Sequence, residues 1–82
     1  MTNKEKIDYM IQSLQLAKEE ISYAQEWAEK YKIDPEHCWT DRIPNGTIIR
    51  ESLKMVGRMA NIVANNVVLS PYSDKIFKHD ES

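Results

Sequence analysis

The feature that most constrains this chain is an apolar repeat spaced by alternating threes and fours. It runs first through Ile7, Met10, Leu14, Ala17, Ile21, Ala24, Ala28 and Tyr31. A second series runs through Ile49, Leu53, Val56, Ala60, Val63 and Val67. Only a helix gathers residues at that spacing on one face, and such a seam packs against another helix. Neither segment contains a proline, so each is expected to be continuous.

Local signals set the expected ends. Thr2 and Glu5 have capping-box spacing, which opens a helix over about residues 3–32. Pro35 disfavours helical geometry at Asp34 and stops that helix near Ile33. Residues 33–46 form a loop, in which Asp34-Pro35 starts a single short turn through Trp39. Pro44-Asn45-Gly46 is a second stop, after which Asn45 or Thr47 caps a helix over about 47–69. Ser70-Pro71 ends it and opens a short helix over about 71–77, with a frayed tail beyond. The expectation is one all-α domain, residues 1–82, built as an antiparallel hairpin of two long helices with a short C-terminal helix. At 1.5 Å per residue the long helices measure roughly 45 Å and roughly 33 Å.

Each long helix also carries a second apolar line. On the first it is Tyr9, Leu16, Tyr23 and Trp27; on the second it is Ile48, Met55, Met59, Ile62 and Leu69. A lone hairpin needs only one seam per helix. The two apolar residues of the short third helix, Ile76 and Phe77, are too few to cover both lines. Burying an Ile or Leu contributes about 1.5–3 kcal/mol, so these nine side chains are expected to form an oligomer interface, in a dimer or higher helical bundle. The stretch from Met59 to Leu69 holds no charge, and its only polar side chains are Asn61, Asn65 and Asn66, which either lie buried and support such an assembly or sit on the solvent side or near the helix end. Self-association would also supply the stability that a chain of 82 residues struggles to reach alone.

Charge and cysteine content narrow the function. Lys+Arg 11 against Asp+Glu 13 gives a net charge of -2, which is neither basic enough for nonspecific nucleic-acid binding nor acidic enough to mimic DNA. The single cysteine, Cys38, rules out a disulfide framework within the chain and suits a reducing compartment. Met1 to Lys6 has no signal-peptide pattern, and the longest uncharged run, Met59 to Pro71, falls short of the roughly 20 residues a membrane span needs. A cytoplasmic protein is expected.

Catalytic chemistry finds little footing. His37-Cys38 lacks the partners of a zinc site, with His79 as the remaining histidine, and adjacent side chains diverge too far to form a nucleophile and base. The acids Glu19, Glu26 and Glu29 fall outside the seam, and the second helix offers Glu51 alone, so no carboxylate cage assembles. No catalytic residue, metal or cofactor is expected.

Binding has better candidates. Arg50, Lys54 and Arg58 recur every four residues at the start of the second helix, with Arg42 just before them and Trp39 and Tyr72 as flat aromatic surface. The free N–H groups of that helix start add partial positive charge. This set suits an acidic patch on a protein or a phosphate-bearing ligand; the plainer reading is a solubilising stripe that pairs with Glu51 and acids of the first helix. The expected function is a small non-enzymatic intracellular protein that modulates or inhibits a larger partner, as short phage and mobile-element proteins do. The alternative is an oligomer that sequesters a small anionic ligand, such as a signalling nucleotide, through the Arg-rich helix start.

Overall fold

A computed structural model of the chain describes residues 1–36, 41–68 and 76–78. Helix α1 spans Asn3–Ile33 and helix α2 spans Gly46–Asn65. They pack against each other as a hairpin, with a radius of gyration of 18.9 Å and extents of 64 × 20 × 14 Å. A compact domain of this length would have a radius of about 12 Å. The thinnest dimension is that of a single layer of helices.

The caps follow from the sequence. The Thr2 hydroxyl accepts the Glu5 N–H at 3.1 Å, and the Asn45 side-chain oxygen accepts the Thr47 N–H at 2.9 Å. Each satisfies a donor that the first helical turn leaves open. Lys30 and Lys32 occupy the last turn of α1, where positive charge complements the helix dipole.

Two expectations at the C-terminal end are corrected. The second helix was expected to reach Leu69 but stops at Asn65, where Asn65-Asn66, poor helix formers, give way to β-branched Val67-Val68. The short helix over 71–77 does not include its last residues. Ile76–Lys78 instead run antiparallel to Asn66–Val68, with Val67 bridging Phe77. The Val68 N–H donates to the Ile76 carbonyl at 2.8 Å, and the Lys78 N–H donates to the Asn66 carbonyl at 2.8 Å. Residues 71–75, and Leu69 with them, lie outside the described residues.

The seam is also rotated from the one expected. On α1 the buried or half-buried positions that follow one seam are Asn3, Lys6, Met10, Ser13, Ala17, Glu20, Ala24 and Trp27. They keep Met10, Ala17 and Ala24 of the predicted series but replace Ile7, Leu14 and Ile21 by the residue before each. On α2 the buried or half-buried series is Ile49, Ser52, Val56, Met59, Val63 and Asn66, flanked by half-buried Ile48 and Met55. Trp27, Ile48, Met55 and Met59, expected at an oligomer interface, are thus partly covered within the hairpin itself. Leu53, Ala60 and Val67, expected inside, are exposed.

Polar contacts at both ends fix this rotation. At one end the Asn66 amide donates to the Asn3 side-chain oxygen at 3.4 Å. At the other, Glu20 is drawn into the seam by the interhelical loop. Between them the small Ala17, 2 % exposed, lets the two backbones come close.

Candidate interaction surface

The loop is latched to α1 through one carboxylate. Glu20, 6 % exposed, accepts both arms of the Arg42 guanidinium at 2.7 and 2.8 Å and the Asn45 N–H at 2.9 Å. The Tyr23 hydroxyl donates to the Arg42 carbonyl, and the guanidinium lies 4.3 Å from the centre of the Tyr23 ring. A fork-to-fork pair, a backbone N–H and a cation–π contact together hold the start of α2 in place. The hydrogen bonds from Arg42 and then from Asn45 pull the Glu20 carboxyl down to about 2, and its carboxylate in turn raises Arg42. Lys30 and Asp41 add an ion pair at 3.8 Å, and Trp27 stacks on Tyr31 with ring centres 5.3 Å apart.

Sequence reasoning missed Glu20, because a carboxylate between apolar positions reads as a solvated residue. The signal that finds it is tertiary: its partner is 22 positions away. Arg42, chosen as a binding residue, has its guanidinium occupied by Glu20. Arg50, Lys54 and Arg58 are exposed along the outer side of α2, with Lys54 4.0 Å from Glu51. Trp39 and Tyr72 lie outside the described residues, as do His37, Cys38 and His79. Among the described members of the expected binding set, Arg42 turns to Glu20 while Arg50, Lys54 and Arg58 lie along α2.

What the rotated seam produces instead is two apolar faces. Residues one position after Lys6, Ser13 and Glu20 project to one side of the hairpin. These are Ile7, Leu14 and Ile21, all exposed, with Leu14 at 44 %. In the antiparallel pairing Leu53, exposed at 47 %, and Ala60 lie alongside them on α2. The opposite side carries Tyr9 and Leu16 on α1 and Ile48, Met55 and Ile62 on α2, with Leu16 at 54 % and Ile62 at 52 %. There Tyr9, Leu16 and Met55, with Gln12, Ser13, Glu51 and Ser52, line an open groove of about 380 Å³. Tyr9, Leu16 and Ile62 of the predicted interface are outward-facing; Tyr23 is half-buried over Arg42.

Among the described residues no three His, Cys, Asp or Glu side chains gather as a metal-binding cluster, and no helix is long and apolar enough to cross a membrane. No family model, curated protein or solved structure matches the chain.

Proposed function

We propose that this protein acts by binding and not by catalysis, as a self-associating helical hairpin that modulates a larger protein partner. The observation that carries the reading is the placement of apolar surface. The seam between the helices holds Lys6, Ser13, Glu20 and Ser52, while Ile7, Leu14, Leu16, Leu53 and Ile62 face outward. A monomer that works alone rarely leaves aliphatic side chains on two opposite sides. Arg50, Lys54 and Arg58 on the outer side of α2 suit a partner with acidic surface, and such contacts weaken as salt screens them.

A small anionic ligand is the second reading, carried by the exposed Arg50 and Arg58. It has lost Arg42, its central cation, to Glu20. Native mass spectrometry of the protein isolated from the cells that make it separates the two. The expected species is a homo-oligomer carrying a second protein. A nucleotide in its place supports the second reading, and a bare monomer overturns both.

A further inference from the structure

The two apolar faces differ in the charges along their edges. On α1, Lys4 precedes Ile7 by three residues, and Lys18 lies four after Leu14 and three before Ile21. Side chains at those spacings are neighbours on a helix, so the exposed Lys4 and Lys18 edge the Ile7–Leu14 face. Glu5 lies four before Tyr9, and Glu19 lies between Leu16 and Tyr23 at the same spacings. The exposed Glu5 and Glu19 therefore edge the Tyr9–Leu16 face. The same division occurs on α2, where Arg50 precedes Leu53 by three residues and Glu51 precedes Met55 by four. Arg58, beside Met55 and Ile62, departs from the pattern.

We infer that each apolar face is covered by another copy of this chain, stacked so that the Lys-edged face of one copy lies on the Glu-edged face of the next. This rests on the self-association proposed above and specifies its geometry. Pairing two Lys-edged faces about a two-fold axis sets Lys4 and Lys18 against cations, and pairing two Glu-edged faces sets acids against acids. Like charges brought together at a rim cost affinity, whereas opposite ones select partner and register. Stacking α1 of one copy on α1 of the next brings Lys4 to Glu5, Lys18 to Glu19 and Arg50 to Glu51. Reversing the upper copy, so that α1 lies on α2, puts Lys4 and Lys18, 14 residues apart, over an edge that carries Glu51, Arg58 and Asn65, so at most one lysine meets an acid and most of that complementarity is lost. Each copy is a single layer, 14 Å thick, so the stack buries both faces. An arrangement of unlike faces is heterologous, and it closes as a ring or grows as a filament.

Sedimentation velocity at micromolar concentration and low salt tests this with the full chain. The wild type should self-associate. Lys4→Glu with Lys18→Glu, which makes both edges acidic, should weaken association on the order of tenfold, as should Glu5→Lys with Glu19→Lys. An equimolar mixture of the two variants should associate again. Far-ultraviolet circular dichroism should show unchanged helix content, because all four side chains are exposed. Variants that associate as the wild type does overturn the stacking but not self-association, while a monomeric wild type overturns both. Orientation is read by oxidative cross-linking in a Cys38→Ser background. Copies bearing Lys18→Cys and copies bearing Glu19→Cys should form mainly the mixed disulfide; predominance of 18–18 or 19–19 disulfides places like faces together and overturns the proposal.

Discussion

The carboxylate of Glu20 and the guanidinium of Arg42 meet through two hydrogen bonds, 2.7 and 2.8 Å long, across 22 positions of sequence. Glu20 also accepts the N–H of Asn45, the residue that caps α2. A single side chain of the first helix thus fixes both the loop and the starting point of the second. That contact also turns α1 about its axis, because Glu20 can reach Arg42 only from the side facing α2. The rotation that satisfies Glu20 is the one that moves Ile7, Leu14 and Ile21 out of the seam.

The latch should respond to acid. The folded carboxyl of Glu20 titrates at about 2, below its ordinary value of 4.5, so the unlatched chain binds the proton more tightly. Its contribution to stability is fully present above about pH 4.5 and is lost as pH falls toward 2. Protection of the Asn45 amide, its exchange measured against the intrinsic rate at each pH, should fall over that window, and Glu20→Gln should abolish this part of the pH dependence. An Asn45 amide equally protected at pH 3 and pH 7 would count against the latch.

Arg42→Lys should not rescue the loop. An ammonium cannot reproduce two parallel hydrogen bonds to one carboxylate or the flat contact over Tyr23. Asn45 amide exchange should rise in Arg42→Lys nearly as far as in Arg42→Ala, and Tyr23→Phe should give a smaller rise. Wild-type protection in Arg42→Lys would show that charge alone holds the loop.

Thr2→Ala should destabilise the chain by about 1 kcal/mol through loss of the cap on α1, and Thr2→Ser should retain most of it. Urea denaturation of the three proteins measures the difference. Equal midpoints for Ala and Ser would mean that the hydrogen bond to Glu5 contributes nothing.

Ile62 and Val63 are neighbours with opposite expected behaviour. Val63 is buried against α1, so Val63→Ala should cost about 1–2 kcal/mol of stability. Ile62 faces outward, so Ile62→Asp should leave the hairpin folded and reduce self-association. Circular dichroism melts and sedimentation read the two effects separately. Unfolding by Ile62→Asp at a concentration where the wild type is monomeric would place that side chain inside.

Much of the hairpin was legible in local chemistry. The repeat of threes and fours determined two long helices, because no other backbone aligns those residues. Thr2, Asp34-Pro35 and Asn45 determined where the helices start and where the first one ends, since capping and proline sterics act within a few residues. The apolar surplus over a single seam was also written in the sequence. What it did not determine was which part of each apolar stripe turns inward. The stripe on α1 spans Tyr9, Met10, Leu14 and their repeats, wide enough that a rotation of roughly 50°, half the step between residues, still buries Met10 and Ala17. Hydrophobic burial alone favours the other rotation, which would turn Ile7, Leu14 and Ile21 inward in place of Lys6, Ser13 and Glu20, so it does not account for the choice. Directional polar contacts between residues far apart in sequence chose instead: Glu20 with Arg42 and Asn45 at one end, Asn3 with Asn66 at the other. Tertiary structure likewise ended α2 early, where the backbone of Asn66 and Val68 pairs with that of Lys78 and Ile76, a partnership no local signal encodes.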